Sequence, residues 1–346
     1  MIDDLIVHHL WFTTEATTPI YLPAESGSAI RGALVTALRQ HFCPDAALRS
    51  ESSRVEADAE HRAICPVCWL IALEDASGER GQNVQRPYTV EPLPLPTGRI
   101  EPGQPLAFGV SLVGRAINLF PYLILAVPEM GRFGLGQFDP RQGSRGRFLL
   151  GAVNAINPLS GVQQPLLAGG TQVQMPANPV TSPQIATAAS ALGELDRVQG
   201  NRLALRFHTP TRIVADSHLV RGPAFLPLFQ RLLERVEGLV RYYTAWESGP
   251  VVPDREELLA LANRVETVVD ETVWTEAISG SRRLGRATPV SGYRGRAVYR
   301  ASDWRPLLPW LLWGQSLHVG KNAVKGDGWF TVAGCPGWPD QRKTPE

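Results

Sequence analysis

Apolar residues recur along the chain with helix-like and strand-like periods, and these periods predict the order of its elements. In the first half, the run from Leu5 to Phe12 predicts a strand, and apolar residues four positions apart from Ile30 to Phe42 predict a helix. Leu106 to Leu112 predicts another strand. Ala116 to Met130 predicts a second helix, with Gly131 where a terminating glycine would stand. The glycine- and arginine-rich stretch that follows predicts a loop leading into a strand.

The second half repeats this order. Leu203 to Phe207 predicts a strand, and one apolar face from Phe225 to Tyr243 predicts a long helix. A shorter amphipathic helix is predicted from Arg255 to Val269. A strand near Arg296 to Tyr299 and a short helix near Arg305 to Trp313 follow, and then a glycine-rich loop and a final strand. The expected fold is α+β, with two tandem ferredoxin-like (RRM-like) β-α-β-β-α-β domains that carry Gly-rich loops.

The boundary between these domains is predicted from a shift in composition. Residues 158–193 contain no charged residue and are rich in Pro, Gly, Ala, Gln, Ser and Thr. We therefore expect an N-terminal domain over residues 1–180, with a Cys-rich insertion, and a C-terminal domain over residues 198–346.

Composition narrows the class of protein. The chain has 346 residues, of which 44% are hydrophobic, so it can bury a sizeable core. The segment MIDDLIVHHLWF has acidic residues where a signal peptide would be positive, and no uncharged apolar run approaches about 18 residues. These features predict a cytoplasmic protein without membrane contact. Its four cysteines are then expected to be metal ligands or buried thiols rather than disulfides.

The segment GQSLHVGKNAVKGDGWFTV, residues 314–332, has four glycines and two lysines between a helix-like and a strand-like run. Glycine permits close approach of the backbone, so we expect N–H groups of this loop to face a polyanion while the lysines supply charge. A nucleotide P-loop is excluded, because Asn322 stands where Ser or Thr would hold Mg²⁺. The residues expected to bind are Gly320, Lys321, Lys325, Gly326 and Gly328.

A cationic stretch precedes and includes this loop. Residues 280–326 contain nine lysines and arginines and one acidic residue, in a chain whose formal net charge is +1. The aromatic residues Tyr293, Tyr299 and Trp304 are interleaved with the cations and Trp329 follows them, which is typical of surfaces that bind unpaired nucleic-acid bases. A solvated charged face is the alternative. The members expected to bind RNA are Arg282, Arg283, Arg286, Arg294, Arg296 and His318.

A C-x-x-C pair indicates a possible metal site. Cys65 and Cys68 form the pair, His61 lies four residues upstream, and Cys43 follows the first predicted helix. A four-ligand site of this kind would be tetrahedral and structural, so zinc is the expected metal. Cys335 competes with His61 as the fourth ligand, and buried thiols without metal are the alternative.

Several segments resemble a known superfamily. The run LHVGKNAVKGDGWFTV resembles the glycine-rich loop of the RAMP superfamily of CRISPR-associated RNA-binding proteins. The run FHTPTRI, followed by FLPLFQRLLERVEGLVRYY, resembles the C-terminal domain of that superfamily's precursor-RNA processing endoribonuclease. RPYTVEPL and GRFGLGQ…RGRFLLGAV are similar to its N-terminal half. The order of these segments along the chain carries the resemblance.

The resemblance implies a metal-independent endoribonuclease that binds the hairpin of CRISPR repeat RNA and cuts beside it. The 2′-hydroxyl of the substrate would attack the adjacent phosphorus, leaving a 2′,3′-cyclic phosphate and a 5′-hydroxyl, with no cofactor for catalysis. The family often places a catalytic histidine near the first helix, and His41 is the nearest match. Tyr21 is the expected partner that orients the phosphate. An interaction of His41 with the helix dipole is the alternative, and a metal-free His61 is the second candidate base.

The resemblance leaves other functions open. A non-catalytic RAMP subunit of a CRISPR effector complex would keep the fold and hold the 5′ handle of the guide RNA. A zinc-stabilised RNA-binding protein unrelated to CRISPR is a more distant alternative. Expected partners are therefore CRISPR repeat RNA and subunits of an effector complex, with the chain itself a monomer or a homodimer.

Overall fold

A computed structural model describes residues 2, 4–23, 25–49, 57–71, 85–92, 98–168, 172–195, 200–281 and 286–335. Within these residues the chain forms a mixed α/β fold built on two antiparallel sheets. Among the described helices, none combines the length and the apolar character that crossing a membrane would require.

The first sheet and its helices come from the first half of the chain. A 3₁₀ turn, Gly114–Leu119, leads into the helix α5. The elements of this half are β1 (Val7–Ala16), β2 (Ile20–Leu22), α1 (Gly27–Phe42), α2 (Ala46–Arg49), α3 (Ala59–Ile64), α4 (Pro66–Ile71), β3 (Tyr88–Pro92), β4 (Gly98–Ile100), β5 (Pro105–Val113), α5 (Phe120–Phe133), β6 (Leu135–Asp139), β7 (Ser144–Gly146), β8 (Phe148–Ile156), β9 (Gln163–Pro165), β10 (Leu167–Ala168) and β11 (Gln172–Val173).

The strand order in this sheet is β3-β5-β1-β8-β9, with β1 in the centre and every pairing antiparallel. One face of β1 sends Leu10 and Phe12 into a core that also contains apolar residues of α1 and α5. The opposite face sends Trp11 against Trp329 from the second half of the chain. The central strand is therefore buried on both sides along most of its length.

The second half begins with a helix and forms a four-stranded sheet of order β15-β18-β12-β19. Its elements are α6 (Ser182–Gly193), β12 (Arg202–Thr211), β13 (Ile213–Ala215), β14 (His218–Val220), α7 (Phe225–Tyr243), α8 (Arg255–Ala262), β15 (Glu266–Thr275), β16 (Ile278–Ser281), β17 (Arg286–Pro289), β18 (Gly292–Arg300), α9 (Leu308–Leu317) and β19 (Phe330–Val332). The bounds of α7 confirm the prediction from its apolar face. Its buried stripe forms the centre of the second core.

Two predicted helices have different bounds in the structure. The helix predicted to end at Gly131 continues to Phe133 and ends at Gly134, whose φ of 94° only glycine adopts readily. Gly131 instead lies inside α5, where a Cβ atom would overlap the backbone of Phe148. The helix predicted over Arg255 to Val269 ends at Ala262, and a strand follows it, because β-branched residues there pair with β18.

One segment predicted as a loop, and one predicted only as the domain boundary, contain regular structure. The glycine- and arginine-rich segment after α5 is a hairpin of β6 and β7, and not a loop. The uncharged segment 158–193 contains α6, whose residues Ile185, Ala189 and Leu192 pack into the second core. This segment is also tied to the first strand by a bridge between Val180 and Val7.

Candidate active site and metal centre

His41 lies at the exposed end of α1, in the last turn of the helix. Its Nε2 atom is 3.1 Å from Oε2 of Glu129 on α5, and the side chains of the two residues are 35% and 21% exposed. The ring of Phe133 lies 5.5 Å from the imidazole ring. A histidine held by a carboxylate at one nitrogen and open to solvent is suited to proton transfer at the other nitrogen.

Glu129 also pairs with a cation. Nη1 of Arg132, one helical turn further along α5, lies 2.9 Å from each carboxylate oxygen, and the arginine side chain is 73% exposed. Neither Glu129 nor Arg132 was predicted as a site residue from the sequence. They approach His41 only because α1 packs against α5, and their single signal in the sequence is the pair of charges in the otherwise apolar helix from Phe120 to Phe133.

Tyr21 lies in β2, close to the start of α1 rather than its end. The guanidinium of Arg99 lies over its ring at 5.7 Å, and its backbone is so close to Gly136 of β6 that a Cβ there would overlap it. His41 is held by other residues, Glu129 and Phe133, so within the described residues these contacts do not join Tyr21 to His41 directly.

The hairpin of β6 and β7 extends from the end of α5, next to His41. Phe133 and Phe138 are exposed by 42% and 56%, and Arg141 and Arg147 are also exposed. Exposed aromatic rings among arginines can stack on bases and contact phosphates. The arginines of this segment are evident in the sequence, but its pattern predicts a loop and not a hairpin. We call residues 132–147, from Arg132 to the end of the hairpin, the arginine hairpin.

The predicted metal ligands meet in the structure. The ligand atoms of Cys43, His61, Cys65 and Cys68 all lie within 4.8 Å of one another. Sγ of Cys43 is 3.4 Å from Nε2 of His61 and 3.7 Å from Sγ of Cys68. A tetrahedron with metal–sulfur bonds of about 2.3 Å has sulfur–sulfur edges of about 3.8 Å. The four atoms therefore already have the spacing that a tetrahedral ion requires.

Local structure sets these ligands in place. Asp58 caps α3 by accepting from the N–H of His61 at 2.7 Å, and the N–H of Cys65 donates to the carbonyl of His61 at 2.8 Å. Burial raises the pKa of the Cys43 and Cys68 thiols above the usual value. Cys335 packs against the second core, whereas Cys43, Cys65 and Cys68 lie in the first core. His61 is therefore the fourth member of the group.

The glycine-rich loop turns inward rather than toward a ligand. The N–H of Gly326 donates to Ala323, and the N–H of Gly328 donates to Pro210, each at 2.9 Å. A Cβ on Gly326 would overlap Pro92, and one on Gly320 would approach the backbone of Arg212. The expectation that these glycine amides face a polyanion is wrong for Gly326 and Gly328, because the loop uses them to pack against its neighbours.

The side chains of this loop are buried to different degrees. His318 is completely buried and stacks on Trp329, and burial lowers its pKa well below the ordinary value. Burial also lowers the pKa of Lys325, with Arg31 as a smaller cause, and raises that of Asp327. Lys321 is the exposed one of the two lysines. Because the His318 side chain is completely buried, it cannot make the predicted contact with RNA.

A further buried pair lies within the first half of the chain, between β1 and β3. Nδ1 of His9 on β1 lies 2.8 Å from Oε1 of Glu91 on β3, and neither side chain is exposed. Burial raises the pKa of Glu91, while the proximity of His9 opposes this. The neighbouring His8 has a pKa lowered to about 4, mainly by burial and then by His9. These histidines are core residues, as their place on the first strand predicts.

Three arginines of the cationic stretch form ion pairs with acids from other segments. On β18, Arg296 lies 3.0 Å from Glu271 of β15. Arg294 lies 3.7 Å from Glu25 of the first half. Arg300, also on β18, pairs with Glu266 of β15. Arg282 and Arg283 lie outside the described residues, and Arg286 begins β17. The acids that the local count missed therefore lie on the neighbouring strand β15 and, for Glu25, just before α1.

Two family models match the chain in succession. The model of the AF_1859_N N-terminal domain matches residues 5–179, and the model of the CRISPR-associated endoribonuclease Cas6 matches residues 205–330. No curated protein matches the chain.

Solved structures share the fold along nearly the whole chain. Thermus thermophilus Cas6 (TTHB231) aligns with a TM-score of 0.52 at 14% identity, over 95% of this chain and 98% of that one. The product complex of Cas6 (TTHB231) gives 0.54 at 13% identity, over 94% and 99%. A partial Cas6-RT-Cas1–Cas2 complex gives 0.56 at 13% identity, over 96% of this chain and 47% of that chain. At these identities the likeness is one of fold.

Proposed function

The chain belongs to the CRISPR-associated RAMP-type endoribonucleases, and we propose that it binds CRISPR repeat RNA and cuts the precursor transcript beside the repeat hairpin. The observation that carries this proposal is the half-exposed His41, held by Glu129 next to the cation of Arg132. These three groups supply a proton acceptor, a residue that fixes its ring, and positive charge for a phosphate.

The proposed reaction needs no external nucleophile. With Nε2–H donating to Glu129, the other ring nitrogen of His41 carries a lone pair and removes the proton of the substrate's 2′-hydroxyl. The 2′-oxygen then bonds to the adjacent phosphorus, and the bond from phosphorus to the 5′-oxygen breaks. The products are a 2′,3′-cyclic phosphate and a 5′-hydroxyl, whose proton comes from solvent. Arg132 stabilises the charge that develops on the phosphoryl oxygens.

The RNA-binding surface proposed here is the arginine hairpin rather than the glycine-rich loop. Exposed Phe133 and Phe138 offer rings for unpaired bases, and Arg141 and Arg147 offer cations for the backbone. In the second half, Lys321, Arg282 and Arg283 have a smaller proposed part, which is to supply positive charge for the RNA backbone. Tyr21, with the guanidinium of Arg99 over its ring, remains the residue proposed to orient the phosphate.

The finer description of the fold is part of the same proposal. In each half, the four main strands and two helices occur in the order strand, helix, strand, strand, helix, strand, and the first strand lies between the third and the fourth. That order supports two ferredoxin-like units over residues 1–180 and 198–346. On this view α6 is a helix of the linking segment that packs on the second unit.

The cysteine and histidine group supports a structural zinc site rather than a catalytic metal. Four protein ligands would fill the coordination sphere, leaving no open position for water or substrate. Elemental analysis of protein purified without added metal is expected to give about one zinc per chain, and the Cys65→Ser variant should have lost it. An equal zinc content in both proteins would remove this part of the proposal.

The direct test is cleavage of a labelled repeat hairpin by the wild-type protein and by His41→Ala. Divalent metal is left out and EDTA is added only at the start of a single-turnover reaction, which spares a tightly bound structural zinc. Wild-type protein should produce a cyclic-phosphate end, and His41→Ala should bind the hairpin without cutting it.

The same assay separates the alternatives. Cutting that survives His41→Ala keeps the enzyme and removes His41 from the mechanism. Tight hairpin binding by wild-type protein without any cutting would favour a non-catalytic subunit that holds guide RNA. A lack of preference for repeat sequences would favour a general RNA-binding protein.

A further inference from the structure

The four metal ligands come from three separate pieces of chain. Cys43 directly follows α1, His61 and Cys65 lie in and just after α3, and Cys68 lies in α4. The helices α3 and α4 have six residues each, which is too short for a helix that is stable alone in water. A shared ion would therefore be the strongest tie between these two short helices and the end of α1.

That end of α1 carries the candidate base. Cys43 is the residue at which the helix stops, with an extended backbone at φ −78° and ψ 126°, and its N–H donates to the carbonyl of Arg39 at 3.2 Å. His41 lies in the same turn, two residues before the ligand. Helix ends fray unless something holds them, so a bond from a metal to Cys43 would fix the turn on which His41 stands.

The partner of His41 is fixed independently. Glu129 lies on α5, whose residues Val127 and Met130 are fully buried in the first core. The 3.1 Å approach between the imidazole and the carboxylate therefore depends on the end of α1 staying in place against a helix that is already held. Whatever loosens the turn at Cys43 would change this distance.

We propose that the Cys43, His61, Cys65 and Cys68 centre is a positioning device for catalysis, in which a zinc ion holds the last turn of α1 so that His41 meets Glu129. The ion itself takes no part in the chemical step. This inference rests on the proposed role of His41 in RNA cleavage, and it adds a reason why the ligand set stands directly beside that residue.

The first test measures the backbone and does not depend on activity. Amide hydrogen exchange is compared between wild type, Cys68→Ser and Cys335→Ser, the last being a matched cysteine outside the centre. We expect Cys68→Ser to have lost its zinc and to exchange at residues 39–43 at least about tenfold faster, with residues 30–34 of the same helix unchanged. Cys335→Ser should keep its zinc and behave as wild type.

The second test asks whether the metal acts through His41. Single-turnover cleavage and hairpin affinity are measured for Cys68→Ser, His41→Ala and the double variant. We expect Cys68→Ser to lose about tenfold or more in rate with affinity within about threefold of wild type, and to cause less than about a twofold further loss in the His41→Ala background. Rate losses that multiply in the double variant would overturn the inference.

Two precautions keep the result clear. If Cys68→Ser does not fold, zinc can be removed from the wild-type protein with a strong chelator and then restored, which gives the same comparison. A second control uses His61→Cys, which supplies a four-cysteine site. This variant should hold zinc and recover the cleavage rate that His61→Ala loses. Zinc loss that leaves exchange at residues 39–43 unchanged overturns the inference. If the wild-type protein does not cut RNA, the proposed function fails. Faster exchange at residues 39–43 on zinc loss would still support the proposal that the metal holds the last turn of α1.

Discussion

The two halves of the chain share one strand order but place their charged and titratable groups in opposite ways. In the first half, His41, Glu129 and Arg132 meet at a surface, and the arginine hairpin next to them is exposed. In the second half, His318 is buried, and the arginines of β18 pair with acids of β15. The same topology therefore carries an exposed group of titratable and charged side chains in one half, and a buried histidine with paired arginines in the other.

This difference shows that the charge of a sequence segment is not the field at a protein surface. The second half has the higher local density of cations along the chain, yet Arg296 and Arg300 pair with acids across the sheet and Arg294 pairs with Glu25 of the first half. Exposed ion pairs of this kind contribute little to stability, about 0–1 kcal/mol each, but they lower the potential that an RNA would meet.

The largest effect should come from comparing two histidines. His41→Ala is expected to lower the single-turnover cleavage rate by about 10²–10⁴-fold, because it removes the proton acceptor, with little change in the free energy of unfolding. His318→Asn should lower the free energy of unfolding and leave the cleavage rate of the folded protein nearly unchanged, because the buried His318 side chain packs on Trp329. Rates and denaturant unfolding of both variants check this. A cleavage defect of similar size in folded His318→Asn would contradict the comparison.

Acid should act on the second half through stability rather than chemistry. Burial, and then Arg206 and Arg294, lower the pKa of His208 to about 4. As pH falls from 6.5 to 4, the unfolded chain takes up a proton that the folded protein does not, so the free energy of unfolding falls, by about 3 kcal/mol for this residue.

Denaturant unfolding between pH 4 and 7 measures this contribution. His208→Gln should flatten the pH dependence by that amount, while at pH 8 it should lose only the hydrogen bond from the ring to Thr331. An unchanged slope in the variant would show that His208 is not held neutral by its surroundings.

A smaller effect tests how closely the two halves touch. Gly27, at the start of α1, has no room for a side chain, because a Cβ would overlap the carbonyl of Lys325 in the glycine-rich loop. Gly27→Ala should lower the free energy of unfolding by about 1–3 kcal/mol. Gly32→Ala is the matched control on the same helix, with nothing within 4 Å, and should raise it by up to about 1 kcal/mol. Equal shifts in thermal unfolding would refute the close contact.

The smallest effect compares the two arginine surfaces directly. Each phosphate contact that is lost lowers the salt dependence of binding by about one unit of slope. Arg141→Ala with Arg147→Ala should therefore lower the slope for hairpin RNA by about 2. Arg296→Gln with Arg300→Gln, which removes paired arginines, should leave it nearly unchanged. A larger effect from the second pair would move the RNA surface to β18.

Most elements of the fold could be predicted from hydrophobic periods. The stripe from Phe225 to Tyr243 gave the bounds of α7, because a helix that buries one face must repeat its apolar residues at that spacing. The errors fell where pairing overrides local preference. Residues after Ala262 join a sheet edge, and Gly131 stays in α5 because its missing Cβ lets the helix approach Phe148.

By itself, the sequence determined the order of the main strands and helices, and it indicated the candidate metal ligands and the candidate base. Cys43 and His61 were predictable because a ligand set needs particular residue types, and no other histidine precedes the C-x-x-C pair so closely. Only the tertiary structure decided what surrounds them. Glu129 meets His41 from 88 residues away, and the glycine-rich loop is turned inward, because contacts between distant segments depend on how helices and sheets pack and leave no local pattern.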